Sequence, residues 1–112
     1  MRTIHGEMVY GVNVEPQTRC AHWHSDIDII AIKFRCCAAW YPCDDCHTAL
    51  AGHEAQTWPR EHFDEPAVLC GACGHQLTVT EYLLSESVCP SCSASFNPGC
   101  AKHYHLYFEK LI

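Results

Sequence analysis

Cysteine and histidine residues between positions 20 and 92 recur at spacings typical of metal ligands. Twelve of them lie in short groups: Cys20, His22, Cys36, Cys37, Cys43, Cys46, His47, His53, Cys70, Cys73, Cys89 and Cys92. Structural zinc is almost always held by four Cys or His donors, so twelve donors complete three sites. Because no coordination position is left for water or substrate, the pattern predicts three structural zinc ions and a protein that is not an enzyme.

The four C-terminal cysteines have the most specific spacing. They form two Cys-x-x-Cys pairs separated by fifteen residues, Cys70/Cys73 and Cys89/Cys92. This separation falls within the range of a Cys₄ zinc site. Gly71 and Gly74 can supply positive φ values for a tight turn whose N–H groups point at sulfur, and Pro90 restricts φ in the second turn. We therefore expect a zinc-ribbon-like C-terminal lobe.

The other eight donors must form two further sites. Adjacent residues on a helix diverge by about 100°, so Cys46 and His47 should serve different metals. The predicted partition places Cys20, His22, Cys43 and Cys46 at one zinc, and Cys36, Cys37, His47 and His53 at the other.

Short elements must position these donors. Alternating residues over 30–34 predict a half-buried strand that leads to the vicinal Cys36 and Cys37. Asp44 or Asp45 could cap a helix that runs to Ala51, and Gly52 could end it in a left-handed conformation. In the C-terminal lobe, residues 81–84 could form one helical turn or an extended continuation. The predicted fold class is α+β, a small zinc-stabilised domain over 1–112 with lobes at 15–60 and 65–108.

The remaining histidines and the tenth cysteine have simpler interpretations. His5, His24, His62 and His75 lack a second donor at good spacing and are expected to be solvated or hydrogen-bonded, although His24 could replace His22. Five aromatic residues near the donors are expected to pack in the core or behind the ligands: Trp23, Trp40, Tyr41, Trp58 and Phe63. Cys100 is expected to pack as a small apolar residue behind the ribbon, with the tail that follows it as a strand. The alternative is that Cys100, His103 and His105 activate a thiolate or form a three-ligand metal site.

Composition and charge limit the class of protein. Ten cysteines in 112 residues indicate disulfides or metal, and the start of the chain lacks the apolar stretch of a signal peptide. These features favour metal binding inside the cell, with a cytoplasmic location as the first expectation. No apolar run approaches the length of a membrane span, so no membrane contact is expected.

The chain carries seven basic and thirteen acidic residues, a formal net charge of −6. Nine thiolates bound to three Zn²⁺ would add a further −3. Because nucleic-acid binding depends on a basic surface, this charge argues against a nucleic-acid partner. A monomer that contacts another protein is the expectation.

The motifs resemble the CHY-type zinc finger. The resemblance rests on Cys20-x-His22-Trp23, Cys36-Cys37, Tyr41-x-Cys43-x-x-Cys46-His47, His53 and the two later Cys-x-x-Cys pairs. One departure is Trp23, which stands where a tyrosine usually follows the histidine. The segments 19–24 and 95–109 are similar to the stand-alone branch of this family, which includes the helper of small Tims.

The resemblance implies two functional contexts. In the stand-alone branch the domain helps to keep the thiols of an import receptor free of zinc in the mitochondrial intermembrane space, which is the alternative location if the chain is eukaryotic. In the other branch the domain is fused to a RING and binds substrates of a ubiquitin ligase. We therefore expect a zinc-binding protein that acts through protein contacts or zinc exchange with thiol proteins. The alternatives are a thiol-active redox helper and an adaptor for a ubiquitin ligase.

Overall fold

The computed structural model describes residues 2–97 and 107–108. These residues form eight elements: β1 (Arg2–Ile4), β2 (Glu7–Val9), β3 (Ile30–Phe34), β4 (Ala39–Tyr41), α1 (Asp44–Leu50), β5 (Pro66–Cys70), β6 (Gln76–Thr78) and α2 (Val79–Leu84). A short 3₁₀ helix covers Arg60–His62. Short strands with little helix make this the predicted α+β architecture. Residues 81–84, for which a helical turn or an extended continuation was predicted, lie in helix α2.

All six strands belong to one sheet, with the order β1-β2-β4-β3-β5-β6. Neighbouring strands are antiparallel except for β2 and β4, which are parallel. In the middle of the sheet, Ile32 of β3 lies opposite Tyr41 of β4 and Val68 of β5. The sheet therefore connects the N-terminal lobe predicted for 15–60 with the C-terminal lobe predicted for 65–108.

Strand β3 is buried on both faces, so the prediction of a half-buried strand was wrong. Ile30, Ile32 and Phe34 belong to the larger core cluster. Ala31, on the opposite face, is fully buried in a second cluster with four other residues, Ile4, Val9, Trp40 and Leu69. The alternation of Ala31 and Lys33 with apolar residues suggested a solvated face, but residues of β1, β2, β4 and β5 cover Ala31.

Backbone geometry at the helix ends corrects one further prediction. Cys43, rather than Asp44 or Asp45, is the N-cap of α1, and its sulfur accepts a hydrogen bond of 3.4 Å from the N–H of Cys46. The two aspartates occupy the first turn, where carboxylates favour the positive end of the helix dipole. Gly52 follows the helix with φ at +71°, as predicted. In α2, Thr78 and Glu81 form a reciprocal capping box.

The aromatic residues divide between core and surface. Trp40, Tyr41, Trp58 and Phe63 are buried, in agreement with the prediction. Trp23 is 37% exposed and is not a core residue. Among the described residues, no helix has the length and apolar character needed to cross a membrane.

Candidate zinc centres

The structure gathers the twelve predicted donors into three groups of four. Cluster 1 comprises Cys20, His22, Cys43 and Cys46; cluster 2 comprises Cys36, Cys37, His47 and His53; cluster 3 comprises Cys70, Cys73, Cys89 and Cys92. In each cluster the donor atoms all lie within 4.8 Å of one another. This grouping coincides with the partition predicted from the sequence, and His24 is in none of the three clusters.

Cluster 1 lies between the loop that contains Cys20 and the first turn of α1. The sulfurs of Cys20 and Cys43 are 3.7 Å apart. Nδ1 of His22 lies 3.5 Å from the sulfur of Cys43 and 3.4 Å from that of Cys46. The backbone N–H of Val12 donates a hydrogen bond of 3.4 Å to the sulfur of Cys46. Three of the four ligand residues are buried, and His22 is exposed.

Cluster 2 lies where the turn from β3 to β4 approaches helix α1. The sulfurs of Cys36 and Cys37 are 3.9 Å apart. The sulfur of Cys36 lies 3.3 Å from Nε2 of His47 and 3.3 Å from Nε2 of His53. The ring of His47 stacks on Phe34 at a centroid distance of 4.2 Å, so the core fixes its orientation.

Cluster 3 is built from two tight turns, one after β5 and one after α2. The sulfur of Cys70 lies 3.8 Å from that of Cys92, and the sulfurs of Cys73 and Cys89 are 3.7 Å apart. Backbone N–H groups point at the sulfurs, as predicted: His75 donates to Cys73 at 3.5 Å and Ser91 to Cys89 at 3.4 Å.

The two glycines of the first turn have different roles. Gly74 has φ at +84°, as predicted, whereas Gly71 is not among the residues with positive φ. The prediction for Gly71 was therefore wrong. Its N–H donates a 2.6 Å hydrogen bond to Ile29, and a Cβ at this position would collide with the carbonyls of Gln17 and Ile29. Gly71 is thus needed for close packing.

These distances fit tetrahedral zinc. Zinc binds sulfur at about 2.3 Å and imidazole nitrogen at about 2.0–2.1 Å, so a tetrahedral site separates two sulfurs by roughly 3.8 Å and a sulfur from a nitrogen by roughly 3.5 Å. Disulfides would require sulfurs about 2.05 Å apart. All nine described cysteines are free. Each cluster could therefore hold one zinc ion, which would cross-link the segments that supply its ligands.

Hydrogen bonding among the thiols prepares cluster 1 for a cation. Contacts from the thiols of Cys43 and Cys46 lower the pKa of Cys20 to about 2. The same interaction with Cys20 raises the pKa of Cys43 and of Cys46. Because zinc binds thiolates, metal binding at cluster 1 would release the protons that its thiols still carry.

Burial and hydrogen bonding both shift the pKa values of groups in clusters 2 and 3. Desolvation, with a further contribution from His53, lowers the pKa of His47, so its imidazole is neutral at neutral pH, the form that ligates zinc. Burial raises the pKa of the Cys70 thiol to about 12. At Cys73 burial acts in the same direction, but the His75 N–H and the neighbouring thiols outweigh it and lower the pKa to about 7.

Second contacts orient two histidines. His53 uses Nδ1–H to donate to the carbonyl of Ala51 at 3.0 Å, which leaves Nε2 free for a metal. His5 lies outside the clusters, and its Nε2 is 2.9 Å from the carbonyl of Gly71. The link from His5 to cluster 3 was not predicted. The sequence feature that could have indicated the position of His5 is the two-residue turn His5-Gly6. In the structure both residues have positive φ, and the turn joins β1 to β2 as a hairpin.

The group predicted at Cys100, His103 and His105 lies outside the described residues.

A family comparison agrees with the geometry of the clusters. The model of the CHY zinc finger matches residues 20–82, more than half of the chain. This range contains every member of clusters 1 and 2 and the first pair of cluster 3, Cys70 and Cys73. The chain belongs to the CHY zinc finger family.

Similar proteins occur in yeasts. The chain is 42% identical over 104 residues to "Helper of Tim protein 13" of Saccharomyces cerevisiae, and the match covers 90% of each chain. It is 40% identical over 103 residues to the protein of the same name in Kluyveromyces lactis, covering 91% of this chain and 89% of that one. No solved structure matches the chain.

Proposed function

We propose that this chain is a zinc-binding protein that holds three zinc ions and acts on other proteins, either by direct contact or by zinc exchange with their thiols. The observation that carries the proposal is the agreement between the donor distances in all three clusters and the edges of a zinc tetrahedron. The twelve ligands are those in the three clusters. Bound zinc would cross-link the loops and would act as a cation that binds thiolates. It would supply no redox chemistry.

The proposed partner is a protein with reactive cysteines. The name of the yeast relatives refers to Tim proteins, which supports a Tim protein as the partner. On the same basis we propose a location in the mitochondrial intermembrane space in place of the cytoplasm expected from composition. The formal charge of −6 supports the absence of a nucleic-acid partner.

The proposal does not include catalysis. Four protein donors in each cluster leave no ligand position for a water or a substrate, which catalytic zinc requires. A thiol-active role remains the alternative, and it depends on Cys100.

An isotope-exchange experiment tests the proposal. The protein is loaded with isotopically enriched zinc and mixed with a purified, reduced small Tim protein that carries zinc of natural composition. Native mass spectrometry then follows the isotopes in each protein and any complex between them. We expect a complex, mixing of isotopes, or both, and no effect when the Tim cysteines are replaced by serine. Neither a complex nor mixing with the reduced protein would contradict the proposal.

A further inference from the structure

The three clusters differ in the number of thiolates that hold the metal. Cluster 1 offers three cysteines, cluster 2 offers two, and cluster 3 offers four. With neutral imidazoles and one Zn²⁺, cluster 2 would be electrically neutral, whereas clusters 1 and 3 would keep a net negative charge. Thiolates are also the ligands that soft and borderline metals prefer. By charge and ligand type, cluster 2 therefore attracts zinc least strongly.

The clusters also differ in how much of the ligand set lies at the surface. In cluster 1, only His22 is exposed. In cluster 3, Cys70 and Cys89 are buried, and each is paired with an exposed cysteine in the same turn. In cluster 2, His47 alone is buried, while Cys37 and His53 lie at the surface. An incoming ligand could reach cluster 2 without displacing the core.

Clusters 2 and 3 both have exposed ligands, so exposure alone does not distinguish them. They differ in how firmly the backbone holds those exposed ligands in place. In cluster 3 the exposed Cys73 and Cys92 belong to turns closed by backbone hydrogen bonds, from Gly74 to Cys70 at 2.8 Å and from Ser93 to Cys89 at 2.9 Å. These turns hold the exposed sulfurs next to the buried ones.

His53 is attached much more weakly. It lies in residues 52–57, all of which are exposed. None of these residues makes a backbone–backbone hydrogen bond to another residue in the part of the chain that the structure describes. Besides its donor contact in cluster 2, the ring is restrained by the 3.0 Å hydrogen bond to Ala51 and by an edge contact with the ring of His47 at a centroid distance of 4.9 Å. His53 can therefore leave cluster 2 by a local movement of an exposed segment.

We propose that cluster 2 is the site of zinc exchange and that His53 is the first ligand to be displaced by the thiol of a partner protein. This inference rests on the zinc exchange proposed above. The incoming thiol would take the place of Nε2 of His53 as the fourth donor to the zinc, so that one metal–sulfur bond would form as the bond to Nε2 breaks, and the released imidazole would accept the proton of the thiol. No electron is transferred. Clusters 1 and 3 keep their metal and hold the fold during exchange.

Limited chelation with cysteine mapping tests the assignment. The zinc-loaded protein is treated with a small chelator until native mass spectrometry shows the loss of one zinc, and exposed thiols are then alkylated with N-ethylmaleimide. Peptide mapping should find the label at Cys36 and Cys37, with the cysteines of clusters 1 and 3 protected. First labelling at Cys73 and Cys92, at cluster 1, or at all clusters together would overturn the proposal.

Substitution at position 53 tests the role of the histidine. His53→Cys supplies a third thiolate from the same segment, and we expect it to keep three zinc ions and to slow the first release at least about tenfold, equivalent to about 1.4 kcal/mol. His62→Ala, in a histidine outside the clusters, is the matched control and should leave the rate unchanged. An unchanged release rate in a His53→Cys protein that holds three zinc ions would refute displacement at His53.

The outcome is separable from that of the proposed function. The chelator needs no protein partner, so the order of release can be wrong while isotopes still mix with the thiol protein. In that case the protein still exchanges zinc with the thiol protein, but the assignment of this exchange to cluster 2 is wrong. Absence of isotope mixing with the thiol protein would instead remove the exchange on which the assignment depends.

Discussion

Cys46 and His47 show how two adjacent residues can serve different metals. Both lie near the middle of helix α1, and both are buried, but Cys46 belongs to cluster 1 and His47 to cluster 2. The angular step of about 100° per helical residue was sufficient to predict this division. The single helix therefore couples the positions of two candidate zinc centres.

Cys92→Ser should remove one zinc ion from the protein, because Cys92 is one of the four donors of cluster 3 and a serine hydroxyl is a poor substitute for a thiolate. Cys100→Ser is the matched control, since the other four cysteines already complete that cluster. Zinc content per chain, measured on folded protein, is the readout. Loss of a metal from the Cys100→Ser protein would show that one of the twelve assigned ligands is wrong.

Gly71→Ala should destabilise the protein, because the added Cβ would collide with backbone carbonyls of Gln17 and Ile29 that have no freedom to rotate away. Overpacking of this kind typically costs about 1–3 kcal/mol. The control is Gly6→Ala, at a position where a Cβ meets open space and only the positive φ opposes substitution. The free energy of unfolding in urea at fixed zinc concentration measures both. A Gly71→Ala protein as stable as the wild type would mean that close packing at Gly71 is unimportant.

At the scale of the elements, the sequence was most informative where a ligand pattern and a periodic pattern coincide. Strand β3 was located at 30–34 because alternating apolar residues lead directly to Cys36 and Cys37. Gly52 was recognised as the stop of α1 because the helix pattern ends there. In both cases local chemistry was enough to specify the element.

The sequence was less informative where long-range packing decides. The N-cap of α1 was assigned to an aspartate because Asp is a common capping residue. A cysteine sulfur occupies the position instead, since Cys43 is held next to Cys20 by cluster 1. The burial of Ala31 depends on strands that are distant in sequence, and the three-residue strands β1 and β2 are too short to give a clear periodic signal.

The capping box of α2 gives a prediction at this scale. Thr78→Ala removes the side-chain oxygen that accepts the N–H of Glu81, and we expect a loss of about 1 kcal/mol in the free energy of unfolding. Thr57→Ala, in the exposed segment 52–57, is the control and should change stability by less than about 0.5 kcal/mol. Zinc content should stay the same in both. A Thr78→Ala protein as stable as the wild type would contradict a stabilising role for the cap.

At the scale of the whole molecule, the sheet and the metals share the task of stabilisation. A chain of 112 residues forms only a modest core, and structural zinc contributes on the order of 10 kcal/mol per site to folding. Cluster 3 ties β5 to the turn after α2, and clusters 1 and 2 tie α1 to the loops around it. The strands β3 and β5 then join the two halves directly.

Acid should release zinc in two separable steps. Protons compete for thiolates in every cluster, but clusters 1 and 2 also contain imidazoles, whereas cluster 3 contains none. Burial lowers the pKa of His47 below its ordinary value of 6.5, so the unfolded chain binds a proton at this residue more readily than the folded one. The free energy of unfolding should therefore fall as the pH drops from about 6.5 towards the pKa of His47 in the folded protein. Zinc release and amide spectra recorded together against pH are the measurement, and one concerted step would contradict the prediction.

Three closed zinc sites in one chain are the central feature inferred for this protein. Native mass spectrometry of the reduced protein, purified without chelator, counts the metals and identifies them by mass. We expect three zinc ions per chain, each bound by four of the twelve clustered donors. A fully reduced, folded protein that carries two or fewer zinc ions would contradict it.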